Sequence, residues 1–270
     1  MNSKVNILSC QFEPRINNKK KNYDIVYEFL SSITSEIDLL VLPEFFSTGI
    51  TNDGFIKLAE AEEQSETIDF FAQVAKKYNT NICLGTIIEK VGEKFYNTSY
   101  FLNRDGQILD NYRKIHLFSY MGGNEHLTVC SGDKIKVVEF DFGRVGASIC
   151  FDIRFPLHYN KLIKMGAEII VCPNAWCIPM NFDDKISQIK TKEMEAFSIS
   201  RASENLVYFV TSSLQGKLGS GLKSCSNSMI VSPYGEVLAV AKEKNQAIFS
   251  QIDLSLVRKL KKEFPVYKID

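Results

Sequence analysis

The sequence has no surplus of either charge. Lys and Arg together number 32, and so do Asp and Glu. It has no basic stripe interleaved with aromatics, so there is no electrostatic case for nucleic acid or an anionic membrane as partner. Lys19-Lys20-Lys21 is short and reads as the solvated start of a helix. A long apolar run is also missing. The longest uncharged stretch, Ile169 to Phe182, is interrupted by Pro173 and Pro179. A spanning helix needs roughly 18 consecutive apolar residues, so no membrane span is expected. Met1 to Cys10 lead straight into an alternating strand pattern with no apolar leader or small-residue cleavage site, so no secretion signal is expected.

Metal-ligand spacing is scarce as well. The three histidines are His116, His126 and His158, and Cys172 and Cys177 stand further apart than a Cys-x-x-Cys pair, with no second pair to match. No metal is expected. Gly216, Gly219 and Gly221 open no recognisable helix, so a phosphate-cradling loop is absent and no cofactor is expected. The cysteine count, seven, is odd. In a chain read as lacking a secretion signal, this points to reduced thiols and a cytoplasmic location. Cys10, Cys83, Cys172 and Cys225 lie in apolar or otherwise ordinary stretches and read as small buried hydrophobes.

What is present is a globular composition, 45% hydrophobic and 24% charged over 270 residues. No linker or repeat divides the chain, so one domain over residues 1–270 is expected. Strand-like and helix-like runs alternate. Lys4–Gln11 has period two, and Ile25, Val26, Phe29, Leu30 and Ile33 have helical spacing. Arg104-Asp105-Gly106 and Ser232-Pro233-Tyr234-Gly235 read as hairpin turns. Helices between strands, plus two hairpins, predict an α/β fold with mixed sheets.

Three segments place an ionisable side chain at or just past the end of an apolar strand. They are Leu39 to Glu44, Tyr112-Arg113-Lys114, and Gly146 to Cys150. Sites in α/β proteins form outside the carboxyl ends of strands, so a carboxylate, an ammonium and a thiol can share one pocket. Cys150 is followed by Phe151-Asp152-Ile153-Arg154-Phe155-Pro156, a turn leading into a proline suited to a helix start. This is the corner that presents a nucleophile. A thiol there can attack a carbonyl and hold the acyl group as a thioester. The Phe151 N–H is a candidate oxyanion donor. Asp152 and Arg154 read as a pair within the corner, and His116 as a hydrogen-bonded structural residue.

Five blocks stand in order: Pro43-Glu44, Tyr112 to Leu117, Cys150 to Pro156, Arg201 to Asn205, and Ser232 to Val237. Together they resemble the carbon–nitrogen hydrolase (nitrilase) superfamily over nearly the whole chain. The resemblance implies a four-layer α-β-β-α sandwich with two mixed sheets, assembled as a homodimer. It implies a cysteine amidase that cleaves a non-peptide C–N bond of a small-molecule amide and releases ammonia. It assigns Glu44 as general base and acid, Lys114 as stabiliser of the tetrahedral intermediate, and Cys150 as nucleophile. Glu125 takes the place of a second glutamate. The blocks around Lys114 and Cys150 look most like ω-amidases, which act on monoamides of small dicarboxylic acids. The same residues would serve an N-carbamoyl amidohydrolase or a nitrilase. A nitrilase-like binding domain without turnover is the alternative of another class, and the joint presence of Glu44, Lys114 and Cys150 argues against it. Asn174, Ala175 and Trp176 are expected to line the substrate pocket.

Overall fold

A computed structural model describes residues 3–51, 54–119 and 123–264. Met1 and Asn2, part of the segment read for a leader, lie outside the described residues. The first half contains β1 (Lys4–Phe12), α1 (Lys19–Ser32), β2 (Leu39–Val41), α2 (Gly54–Lys57), α3 (Glu66–Tyr78), β3 (Asn81–Cys83), β4 (Ile87–Val91), β5 (Lys94–Leu102) and β6 (Ile108–Arg113). Next come β7 (Val137–Glu139), β8 (Arg144–Ala147), α4 (Pro156–Lys164), β9 (Ile169–Asn174), β10 (Cys177–Pro179) and α5 (Asp184–Asn205). The chain continues through β11 (Tyr208–Leu214), β12 (Lys217–Gly219), β13 (Leu222–Ser224), β14 (Met229–Val231), β15 (Val237–Val240), β16 (Gln246–Asp253) and α6 (Leu254–Glu263).

Thirteen of these strands form a mixed α/β sheet with two arms. One arm runs β16-β1-β2-β3-β5-β6, with β4 hairpinned onto β5. The other runs β7-β8-β9-β11-β14-β15. The arms are the two sheets of the expected sandwich, and a short parallel contact, Gln11 to Ser213 and Phe12 to Leu214, joins them.

Strand alternation explains the layering. From β1, Val5 and Ile7 enter a core shared with β8, β9 and β11 of the other arm. Leu8, Cys10 and Phe12 point the other way, onto Tyr23, Val26 and Leu30 of α1. The same split separates Leu39 and Val41 from Leu40, and Phe101 from Tyr100 and Leu102. Each fully buried apolar side chain contributes about 1.5–3 kcal/mol. A one-residue register slip would turn a whole strand's set onto the wrong layer.

Polar side chains fix the helix starts. Asn18 accepts from the Lys21 N–H, Ser65 from the Ile68 N–H, and Asp183 from the Ile186 N–H. Helices α3 and α5 stop at Asn79 and Leu206, both left-handed. Among the described residues no helix is long and apolar enough to cross a membrane.

The topology gives the site its place. β1, β2, β3, β8, β9 and β11 run parallel. β6 is antiparallel to β5, which is antiparallel to β3, so β6 points the same way as the rest. Glu44, Lys114, Cys150 and Ala175 therefore all follow strand ends on one side of the molecule. The segment expected as a strand through Cys150 differs in detail. β8 ends at Ala147, and Cys150 opens a 3-10 turn, Cys150–Arg154. The small sheet β10-β13-β12 had no sequence signal, because its strands are three residues each and interrupted by Pro179 and Gly219.

Candidate active site

Cys150 has φ +45°, a left-handed conformation unusual for a residue with a side chain. Asp152 holds the corner in that shape. Its Oδ2 accepts from the Ile149 N–H at 2.9 Å and from the Tyr112 hydroxyl at 2.7 Å. Its Oδ1 accepts from the His116 N–H at 3.0 Å and lies 2.6 Å from His116 Nδ1. One buried carboxylate thus ties the Cys150 turn to the strand end that carries Lys114. Burial alone would raise its pKa, but His116, His158, Tyr112 and the Ile149 N–H together hold it below the usual range. His116 stacks on Phe155 at 3.6 Å. It has the structural role expected of it.

Glu44 reaches the site from a second left-handed corner, since Phe45 has φ +53° and donates its N–H to Thr86 Oγ1. Gly85 makes this corner possible. A Cβ at Gly85 would collide with the carbonyl oxygen of Pro43. Glu44 is 1% exposed and hydrogen-bonded through both oxygens. Oε1 accepts from Lys114 Nζ and from Asn97 Nδ2, both at 2.8 Å, and Oε2 accepts from the Ala175 N–H at 2.9 Å.

Lys114 is 2% exposed. Its Nζ also donates to Glu125 Oε2 at 2.8 Å. Glu125 lies in a 3-10 turn, Glu125–Leu127, and is locked to its own loop by the Phe118 N–H on Oε2 at 2.7 Å. Its Oε1 accepts from Asn97 Nδ2 at 2.8 Å. The structure therefore joins Glu44, Lys114 and Glu125 directly, and Cys150 lines the same cavity of about 350 Å³.

The electrostatics follow from two carboxylates and one ammonium out of water. Burial raises the pKa of Glu44; Lys114 opposes this and Glu125 reinforces it. Burial would lower the pKa of Lys114, but Glu125, Glu44 and Cys150 overcome this and hold it well above its ordinary value. Burial and then Glu44 raise the Cys150 pKa, opposed by Lys114 and the Ala175 N–H. The resting pair is a neutral thiol beside a carboxylate more basic than usual, and not a preformed thiolate. Burial pushes Cys83, Cys172 and Cys225 up to about 12, as suits thiols that only fill space.

Ala175 and Trp176 line the cavity with Phe45, Phe55, Ile178 and Leu222. Asn174 corrects the sequence expectation. It is fully buried away from the cavity wall, and its Oδ1 accepts from Ser226 Oγ at 2.9 Å. Asn174 is the last residue of β9, and Ala175, just past the strand end, is the one on the cavity wall. Phe151 packs edge-on against Phe118 and Phe155. Its N–H belongs to the opening of the turn, where N–H groups have no acceptor within the turn itself.

Arg154 is the second correction. It does not pair with Asp152. Its Nη2 contacts Glu193 at 2.9 Å, and its guanidinium lies 5.0 Å from the Trp176 ring. Lys190 also contacts Glu193, at 3.0 Å, and both cations line the cavity. The sequence signal for Arg154 is its position four residues after Cys150, about one turn along the corner. Asn97 was missed too. A lone amide among the aromatic and β-branched residues of β5 was the available sign, because a buried polar group must find partners. Among the described residues one metal-type cluster occurs, His116, Asp152 and His158. The four hydrogen-bonding contacts of Asp152 make it a structural network and leave no lone pair for an ion.

A sequence model of the carbon-nitrogen hydrolase family matches residues 7–262. The chain is 27% identical to the ω-amidase NIT3 of Saccharomyces cerevisiae, over 99% of this chain and 94% of that one. It is 28% identical to the 2-oxoglutaramate amidase of Bacillus subtilis, over 96% and 95%. A nitrilase from Pyrococcus abyssi is 33% identical, over 94% and 92%. The solved structure of S. cerevisiae Nit3, a member of branch 10 of the nitrilase superfamily, superposes with a TM-score of 0.84, covering 98% of this chain and 95% of that one.

Proposed function

The chain belongs to the carbon–nitrogen hydrolase family, and from that premise we propose that it is an ω-amidase acting on monoamides of small dicarboxylic acids. Cleavage of a non-peptide C–N bond is the family's chemistry. In our reading residues 1–270 work as one hydrolase domain in which Glu44, Lys114, Cys150 and Glu125 act together.

Glu44 takes the thiol proton as Cys150 Sγ bonds to the amide carbon. The carbonyl oxygen becomes an oxyanion beside Lys114 Nζ and the Phe151 N–H. One such donor is worth about 3 kcal/mol of barrier. The C–N bond then breaks, Glu44 passes its proton to the departing nitrogen, and ammonia leaves. A water deprotonated by Glu44 attacks the thioester, and the carboxylate product departs as the thiol is restored. Glu125 keeps Lys114 in place throughout.

The observation that carries the substrate reading is the pair of cations, Arg154 and Lys190, on the wall of the cavity that holds Cys150. Among the described residues Arg154 Nε is buried with no acceptor. A carboxylate at the far end of the substrate would supply that acceptor, as a charge-assisted hydrogen bond. The apolar ring of Phe45, Phe55 and Leu222 suits the short methylene spacer between. The names of the yeast and Bacillus relatives support the same class.

The test is ammonia release across ω-amides of dicarboxylic acids, neutral aliphatic amides, N-carbamoyl compounds and nitriles. The dicarboxylic monoamides are expected to have the highest kcat/KM. Arg154→Ala should raise their KM by roughly 10- to 100-fold, the worth of a charged hydrogen bond, and leave neutral amides nearly unchanged. Equal losses on all substrates would remove Arg154 from recognition. Nitriles turned over in preference to amides would favour the nitrilase reading that the Pyrococcus relative suggests.

Two further features complete the proposal. All seven cysteines are unpaired, which suits a reducing compartment and supports a cytoplasmic location. Leu157 and Ile189 are exposed on α4 and α5, and we propose this face for a homodimer.

A further inference from the structure

Asn97 is 0% exposed and sits between the two glutamates. Its Nδ2 donates one N–H to Glu44 Oε1 and the other to Glu125 Oε1, each at 2.8 Å. Lys114 Nζ closes the figure from the other side, on Glu44 Oε1 and Glu125 Oε2, each at 2.8 Å. The main chain adds a fifth link, because the Asn97 carbonyl accepts from the Lys114 N–H at 2.9 Å. The result is a closed ring of two carboxylates, one ammonium and one amide.

The ring is asymmetric in a useful way. Glu44 Oε1 carries two donors and has no capacity left. Oε2 carries one, the Ala175 N–H. That same N–H neighbours the Cys150 thiol. Oε2 is thus the oxygen with a lone pair to spare on the side of the nucleophile.

Asn97 holds this arrangement at a cost to the fold. Its Oδ1 is buried with no partner among the described residues. An unsatisfied buried acceptor costs about 1–3 kcal/mol. Flipping the amide would not help, since Oδ1 would then face two carboxylates. A side chain selected only for packing would not carry this penalty.

We propose that Asn97 is a positioning residue that closes Glu44 and Glu125 into one ring around Lys114, and so fixes Oε2 of Glu44 as the oxygen that exchanges protons with Cys150. The proposal rests on the hydrolase reading above. Asn97 touches no reacting atom. It acts through the orientation and basicity of Glu44.

The charged and titratable groups facing Glu44 are Lys114, Glu125 and the thiols Cys150, Cys172 and Cys177. The three thiols stay neutral in the acid range, so the acid limb of activity belongs to Glu44 on Lys114. Removing the amide takes a donor from ionised Glu44. The carboxylate then holds its proton to higher pH, and the acid limb moves upward.

The experiment is the pH profile of kcat/KM for Asn97→Ala and Asn97→Ser, alone and with Glu125→Gln, on the best amide of the panel. The expected loss is about 30-fold, mainly in kcat, with the acid limb raised by about one pH unit. In the Glu125→Gln background the ring is already broken, and the Asn97 effect should shrink to under about threefold. An unmoved acid limb, with activity falling only in step with folded protein, would reduce Asn97 to a structural role. An undiminished effect in the Glu125→Gln background would break the ring proposal. If Cys150→Ala hydrolysed the amide as well as the parent, the hydrolase reading itself would fail, whatever Asn97 does.

Discussion

Cys150→Ala is expected to lose amide hydrolysis by on the order of 10⁴-fold or more, with its fold intact. The loss should be in kcat. The cavity, its two cations and the glutamate pair remain, so substrate still binds. No other group takes over easily. Cys177 lines the same cavity, but burial raises its thiol pKa far above the thiol range and Cys225 adds to this. Glu44 already has Oε1 committed to Lys114 and Asn97. Cys177→Ser is therefore expected to keep turnover within a few-fold of the parent. Comparing the two variants by ammonia release separates the nucleophile from a bystander in the same pocket.

Lys114→Met should remove activity and weaken the fold together. Its Nζ is the only ammonium that either glutamate contacts among the described residues. Without it, Glu44 and Glu125 face each other out of water with one amide between them. Breaking a buried ion pair in this way costs about 3–5 kcal/mol. The sign of the pH dependence follows. In the variant, Glu44 loses the ammonium that opposes the effect of burial, so its folded-state pKa stands further above its unfolded value. Such a group destabilises once pH rises through those values, and the penalty fades as pH falls and the carboxylate takes up a proton. Urea unfolding should show a smaller deficit relative to the parent at about pH 5 than at about pH 8. A deficit independent of pH would mean that packing of the lysine stem, and not charge, accounts for the loss.

The placement of the candidate site was legible in the sequence. Glu44 and Cys150 each follow a buried apolar strand, Lys114 follows the more polar β6, and the parallel run of those strands carries all three to one side. Strand ends place groups by topology, which sequence order and hydrophobic pattern reveal. Glu125 was harder to see. It is placed by a loop that closes on itself through Phe118, and nothing periodic marks such a loop.

The misjudged residues were those whose direction depends on packing at a single atom. Asn174 stands one residue before Ala175, yet its side chain meets Ser226 and not the cavity. Asp152 and Arg154 are two residues apart on a turn, which suggested a pair. The turn aims Asp152 back at Tyr112 and His116 and aims Arg154 out past Trp176. The sign for Asn97 is a lone amide in a strand rich in aromatic residues. The small sheet β10-β13-β12 borders the cavity through Cys177, Ile178 and Leu222, but its strands are too short for period two to show.

The central claim is that Glu44 drives Cys150 to carry the acyl group. Its most direct test is acid quenching of amide turnover mixtures, with the parent and Glu44→Gln side by side, followed by mass spectrometry of the peptides. The account predicts an acyl group on the peptide containing Cys150, heavier by the mass of the substrate less ammonia. An acyl group on any other residue, or turnover that never loads Cys150 in either protein, would contradict it.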